Sequence, residues 1–237
     1  MMFHLILRLK LVLANSFERI ALPVRFVKRF DEKSLCYLTF ERCRFLWYNR
    51  QANVKGGKQT MKLPARMEPY EIKGLTLKPL GFEHKAMMME MQDRVLGGLP
   101  NPQWYFPSEE WEFDQWLENG DAVGCFDGEK LAGYAVLTAW QIRGDHAYAL
   151  CVEETPEDTF DFHDVMVETA YRGKGIHTRF LKLFTDMARE AGGKAIYATV
   201  DPENSASWHN FEKAGYRVVR IQPAYDGRMR RYYKLTL

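Results

Sequence analysis

Tyr171-Arg172-Gly173-Lys174-Gly175-Ile176-His177-Thr178 stands where an apolar, strand-like pattern gives way to an amphipathic, helical one. Gly173 and Gly175 permit unusual backbone dihedrals and close approach of a ligand to the main chain. A helix that begins straight after such a turn aims several N–H groups without intrahelical acceptors at one spot. The aligned peptide dipoles add partial positive charge there, and Arg172 and Lys174 add cationic donors. A diphosphate suits that environment. The run is not G-x-G-x-x-G, because position 178 is Thr, and it lacks GxxxxGK[ST]. Neither a dinucleotide nor a nucleoside triphosphate is favoured. Taken alone, the turn is also compatible with an ordinary strand–helix connection.

Just upstream lie three groups able to carry a proton: Asp161, His163 and Asp164. On a regularly alternating strand, Asp161 and His163 share a face with Val165 and Val167. His163 has the intrinsic pKa better placed for a base near pH 7. Solvating a strand end is the plainer use of either side chain.

Regular elements on either side of the turn hold these residues. Residues 160–167 form a strand that feeds the glycine turn, and 176–191 form a helix stopped by Gly192-Gly193. In that helix Leu181, Phe184, Met187 and Ala188 recur at helical spacing and should pack on a sheet. A short apolar strand over 195–200, a helix over 205–214, and strands over 216–222 and 229–237 come next, the last two joined at Asp226-Gly227. Upstream, 70–80 reads as a strand and 82–96 as a helix. Ser108 is a plausible N-cap for a helix over 109–118. Strands over 122–126 and 130–139 flank Asp127-Gly128-Glu129 as a hairpin. Residues 147–152 are a further candidate strand. Strands alternating with helices predict a mixed α/β sheet.

Residues 1–60 follow neither period and carry 12 Lys/Arg against 4 Asp/Glu, whereas the remainder carries 21 against 27. The overall charge of +2 hides that contrast. A basic segment can attract nucleic acid or an anionic membrane, but the acidic remainder suits a cationic amine better than DNA. Lys55-Gly56-Gly57-Lys58-Gln59-Thr60 is what a purine-rich stretch before a start codon would encode. The physiological start is therefore expected at Met61, with 1–60 a translated leader and a basic accessory arm as the rival reading. No secretory signal is expected, since Arg8 and Lys10 interrupt the first apolar run. No run approaches the roughly 18–20 apolar residues that span a bilayer. Cys36, Cys43, Cys125 and Cys151 form no CxxC pair and have no His at zinc-finger spacing. They read as small core hydrophobes in a reducing cytoplasm, and no metal is expected.

Two segments together resemble the GNAT superfamily of N-acetyltransferases. Arg172-Gly173-Lys174-Gly175-Ile176, with Val165–Val167 and Tyr171 before it, looks like the acetyl-CoA motif R/Q-x-x-G-x-G/A. Asn204-Ser205 and Phe211-Glu212-Lys213-Ala214-Gly215-Tyr216 resemble the family's "N…YEKxGF" segment at the expected distance. The resemblance spans about residues 165–216, and the element order from Tyr70 onward fits it.

It implies a mostly antiparallel twisted sheet with helices on both faces and two splayed central strands, comprising residues 61–237. Acetyl-CoA would be the co-substrate. Its pantetheine would lie between the splayed strands against Val165, Met166 and Val167, hydrogen-bonding backbone groups of Val165 and Val167. Its diphosphate would sit on the N–H groups of Arg172, Gly173, Lys174, Gly175, Ile176, His177 and Thr178. Asn204 would approach the pantetheine or thioester. The implied reaction is direct attack of a primary amine, on a small molecule or peptide, on the thioester carbonyl. An alkylammonium must first lose a proton, which makes His163 or Asp161 the candidate base. The N–H near Val167 could hold the oxyanion. A cytoplasmic enzyme, free or as a homodimer, without nucleic acid or membrane as partner, is the resulting expectation. An acyl-CoA-binding sensor without turnover is the alternative.

Two positions depart from the family pattern. His177 stands where Gly or Ala is preferred, so its imidazole would crowd the phosphates or donate to them. Phe211 replaces the Tyr that in many members protonates the leaving thiolate, so that role is vacant or filled elsewhere. Of the remaining features, the Met87-Met88-Met89-Glu90-Met91 run reads as packing. Trp104, Tyr105 and Trp111 read as core or as an aromatic acceptor wall. Trp208-His209 reads as surface structure, and Arg228, Arg230 and Arg231 as a solvated strand face.

Overall fold

A computed structural model describes residues 70–72, 74–224 and 227–237. The expectations for residues 1–60 and Met61, and that for Asp226, lie outside them.

The described elements are β1 (Tyr70–Ile72), β2 (Leu75–Pro79), α1 (Lys85–Gly97), α2 (Glu110–Asn119), β3 (Ala122–Asp127) and β4 (Lys130–Ala139). Two single-turn helices, α3 (Trp140–Arg143) and α4 (Tyr148–Cys151), precede β5 (Thr159–Val167). Then come α5 (Ile176–Glu190), β6 (Ala195–Val200), α6 (Ser205–Lys213), β7 (Arg217–Pro223) and β8 (Met229–Thr236). The strands form one sheet in the order β1-β2-β3-β4-β5-β6-β8-β7. Every pairing is antiparallel except β5 with β6. The parallel pair follows from α5, because a strand–helix–strand connection returns the chain in its original direction.

Alternation along the strands divides the sheet's contacts between its faces. Leu75, Leu77, Ala135, Leu137, Phe160 and Phe162 pack with Phe180, Leu181 and Phe184 of α5 and Phe211 of α6. Leu80, Phe126, Tyr134, Val136 and Met166 pack with Met88, Met91 and Val95 of α1 and Phe113, Trp116 and Leu117 of α2. Both cores are needed to bury a central strand, at roughly 1.5–3 kcal/mol for each large apolar side chain. The methionine run divides as its helix rotates: Met88 and Met91 are fully buried, and Met87 is exposed.

Several local expectations are corrected. Residues 147–152 form not a strand but a helical turn, α4. Its Tyr148 N–H is held by the Asp161 carboxylate at 3.0 Å. The single strand over 70–80 is a hairpin turned at Gly74, whose φ of +77° favours glycine. Ser108 does not cap α2. Its N–H and C=O are both taken by the Gln92 side chain, and Glu109 is the N-cap, sharing a capping box with Glu112. Among the described residues no helix is long and apolar enough to cross a membrane.

Two irregularities in β5 shape the surroundings of the glycine turn. Its register with β4 slips between Val136↔Asp164 and Leu137↔Phe162, which leaves His163 as the extra residue of a bulge. Its pairing with β6 runs only from Thr159↔Ala195 to Phe162↔Ala198, although β5 continues to Val167 and β6 to Val200. Beyond Phe162 the strands part into a fork.

Candidate functional site

β5 delivers the chain to a 3-10 turn, Thr169–Tyr171, and then to the glycine turn. Gly173 and Gly175 have φ of +76° and +77°. That left-handed conformation disfavours other residues, and both glycines face open space. Gly175 is the N-cap of α5, and no side chain caps the helix. The first-turn N–H groups are therefore presented as donors without a capping acceptor. Tyr171 anchors the turn: its ring is buried and its hydroxyl donates to Asp127 at 2.8 Å. Lys174 Nζ lies 4.5 Å from the centre of that ring. One expected donor is already used, because the Arg172 N–H bonds Thr169 C=O at 3.3 Å. Arg172 contributes its exposed side chain instead, with Nε 3.4 Å from Val167 O.

The fork supplies an unpaired strand edge. Glu168 N–H donates to Ala132 O on β4 at 3.0 Å. Since successive residues of a strand point their main-chain groups to opposite sides, Met166 and Asp164 also face β4, while Val165 and Val167 face the fork. Met166, expected beside the cofactor with Val165 and Val167, turns its main-chain groups away from the fork. It is paired with Tyr134, and its side chain is buried in the α1–α2 core. The side chains of Val165 and Val167 pack partly against the α5 core.

The second motif lies nearby. Asn204 caps α6 by accepting from Ser207 N–H at 3.2 Å, which leaves its amide NH2 as the group to offer a ligand. Thr178 Oγ1 is 3.5 Å from Asn210 Oδ1. Phe211 is buried. His177 does not point at the glycine turn's open side. Its ring packs on Phe162 at 6.0 Å and edge-on to Phe211 at 5.1 Å between centroids. Burial pushes its pKa down to about 4, so the imidazole is neutral.

On the opposite face of β5 the bulge overturns the expected alternation. With His163 as the extra residue, Asp161, His163 and Asp164 all turn toward the α1–α2 side, away from Val165 and Val167. The His163 ring packs on Trp116 at 5.1 Å and Tyr148 at 6.5 Å. Its Nε2 lies 3.7 Å from Glu112 Oε1. Burial first, and the Arg143 charge second, hold its pKa well below the ordinary value, so this contact joins a carboxylate to a neutral ring. Asp164 accepts from the Tyr134 hydroxyl at 3.2 Å, and burial raises its carboxyl to about 6. Tyr105 borders the same group, and burial followed by the Asp164 charge pushes its phenol well above 10. Asp161 is wholly buried. It binds Tyr148 N–H, lies 3.4 Å from Arg143 Nε, and is raised to about 7 by burial.

A strap closes this side. Arg230 is not a solvated strand residue, as its neighbours suggested, but is 3% exposed. Its guanidinium binds Asp201 at 2.9 Å and Gln103 O at 3.2 Å. Arg228 donates to Tyr105 O at 2.7 Å. Together they tie the segment that carries Trp104 and Tyr105 to β8.

Sequence reasoning missed Glu112, Tyr134 and Arg143. Glu112 had a signal: it stands one turn before Trp116 on the face of α2 that also carries Phe113, so a carboxylate sits against an apolar stripe. Arg143 had none, because α3 is a single turn whose place depends on Asp161.

The model of the acetyltransferase (GNAT) family matches residues 89–216. The chain is 28% identical over 126 residues to L-amino acid N-acyltransferase MnaT of Escherichia coli (strain K12), covering 52% of this chain and 73% of that protein. It is 25% identical over 126 residues to an L-methionine sulfoximine/L-methionine sulfone acetyltransferase of Salmonella typhimurium, covering 52% and 74%. In fold it is similar to yncA from Salmonella typhimurium, solved with its cofactor acetyl-CoA. The TM-score is 0.53 at 19% identity, over 70% of this chain and 95% of that one.

Proposed function

The chain belongs to the acetyltransferase (GNAT) family, and from that premise we propose that it moves an acetyl group from acetyl-CoA to a primary amine entering beside Glu112 and His163. The observation that carries this reading is the fork. The main-chain groups of Val165 and Val167 face a gap that β6 has vacated, and an uncapped helix start stands at its mouth. A pantetheine arm can pair with that edge as a missing strand would, while the first-turn N–H groups of α5 and the side chains of Arg172 and Lys174 take the diphosphate. The group is held on the α5 side, and the acceptor arrives from the α1–α2 side.

The amine must lose its proton before attack. Glu112 and His163 are the acceptor-side groups at the fork's apex; burial disfavours the charged form of His163, so a proton received by its ring is held only with the Glu112 carboxylate 3.7 Å away. We assign Asp161 to structure, because its carboxylate is committed to Tyr148 N–H and lies against Arg143. As nitrogen bonds to the carbonyl carbon and the C–S bond breaks, sulfur takes the electron pair. A thiolate of pKa about 8.5 is a tolerable leaving group near neutral pH. The N–H of Val167 faces the fork and is the donor we assign to the developing oxyanion. Since two relatives are named for amino-acid or amino-acid-analogue acceptors, free L-amino acids are the first acceptors to try.

The test is calorimetry of the full chain with acetyl-CoA, followed by thiol release against amino acids, polyamines and peptides. Binding with acceptor-dependent thiol release is expected. Absence of any CoA association by folded protein would remove the reading, and binding without release for every acceptor would favour a sensor.

A further inference from the structure

We infer that His177 is a catalytic residue of this site, its imidazole N–H donating a hydrogen bond to the coenzyme A sulfur as the C–S bond breaks. The inference rests on the proposed placement of acetyl-CoA in the fork. Three observations on this chain's own residues carry it.

First, the ring is in the right place. An arm that starts at the glycine turn and follows Val167 and Val165 ends at the apex of the fork, where Phe162 is the last residue of β5 paired to β6. The His177 ring packs on that same Phe162 and on Phe211. The helix start therefore lends the diphosphate its backbone and the apex a side chain.

Second, the surroundings are aromatic and offer the sulfur few donors. Phe162, Phe184, Phe211 and Tyr216 form a chain of edge-to-face contacts. The one hydroxyl in that chain, on Tyr216, belongs to a residue buried beneath Phe211. A thiolate emerging into such a place gains more from one fixed N–H than it would in water, because little solvent competes for it.

Third, His177 Nε2 is buried and meets no hydrogen-bond partner among the described residues. Leaving a buried ring nitrogen unpaired costs free energy unless a ligand pairs with it, and the tautomer we assign, protonated at Nε2, makes it a donor. The ring is kept neutral by burial, so it acts as a hydrogen-bond donor and does not give up its proton. In the balanced step, the amine nitrogen bonds to the acetyl carbon and its excess proton passes to the Glu112–His163 side. The C–S electron pair moves to sulfur, His177 N–H holds the thiolate, and solvent protonates it on release.

His177→Phe keeps the ring and the aromatic packing and removes only the donor. It is expected to lower kcat about 10²–10³-fold, the scale of losing one fixed donor, while the Kd for CoA by calorimetry changes less than about threefold. Adding Phe211→Tyr to that variant places a hydroxyl against the same ring position and should restore at least tenfold. A direct readout is the thiol pKa of bound CoA, followed by ultraviolet thiolate absorbance. In the unmodified protein it should fall below the ordinary value of about 8.5, and in His177→Phe it should rise by about one unit. An unchanged kcat in His177→Phe would overturn the assignment. So would a bound thiol pKa at or above the free value in the unmodified protein, which needs no variant to fold. Loss of CoA binding in the unmodified protein is a different result, and it would remove the site itself.

Discussion

At the scale of single residues, the bulge at His163 decides which groups can serve the acceptor. A regular strand would have put His163 beside Val165, on the cofactor side. The extra residue puts it on the α2 side instead, 3.7 Å from Glu112. Glu112→Gln and His163→Asn should each lower kcat by about 10²-fold or more, the range of a general base, with the Kd for acetyl-CoA unchanged. A variant that keeps its kcat would clear that residue of the role. The pH profile follows from the direction of the shift. His163 has its pKa depressed by burial, so it stays neutral from pH 7 down past its ordinary value of about 6.5. His163 is therefore expected to contribute no inflection between pH 6 and 7, the range in which burial places the Asp164 and Asp161 carboxyls. The rate should instead climb with pH as the acceptor amine deprotonates, and an inflection near 6.5 that His163→Asn abolishes would contradict the buried, neutral ring.

At the scale of elements, the fork depends on how tightly β5 is held to β4. Gly133 pairs with Val167, and a Cβ at Gly133 would stand 2.7 Å from Met166 O and 3.4 Å from Val167 Cα. Since the first obstacle is backbone, Gly133→Ala must push β5 toward the gap. It should cost about 1–3 kcal/mol in urea unfolding, as overpacking does, and weaken CoA binding several-fold. A variant as stable as the parent, with the same affinity, would show that the β5 edge has more freedom than its register implies. Much of this level was legible beforehand. The α5 periodicity, the β3–β4 hairpin at Gly128 and the strand–turn–helix around Gly175 are local patterns, and local patterns survive folding. The bulge was not legible, because nothing in Phe162-His163-Asp164 distinguishes a slipped register from a regular one. It is fixed by the pairing of Leu137 with Phe162 across the ladder. The helical turn α4 was missed for a related reason: its apolar residues fit a strand, and the Asp161 carboxylate that holds its first N–H lies in a different element.

At the scale of the whole described fold, the acceptor side is assembled from distant parts of the chain, and Arg230 is the residue that joins them. Its neighbours in sequence, Arg228 and Arg231, made a solvated strand face the natural expectation. Alternation on β8 instead sends it inward to Asp201, which follows β6, and to Gln103, which follows α1. A buried ion pair is not stabilising merely because it exists, since both charges lose water. Breaking one is costly because the partner is left buried and alone, at about 3–5 kcal/mol. Arg230→Met should therefore destabilise the protein by that order, and Arg230→Met with Asp201→Asn should recover more than half of the loss, since no uncompensated charge remains. Function should separate the two variants differently. Both lack the bond to Gln103 O, so both leave the segment bearing Tyr105 tied through Arg228 without Arg230, and should raise the KM for the amine several-fold while leaving the Kd for acetyl-CoA in place. If the double variant regains its stability and its amine KM together, the strap contributes only to folding. A KM that stays high in a restabilised protein would establish that β8 shapes the acceptor side through Arg230.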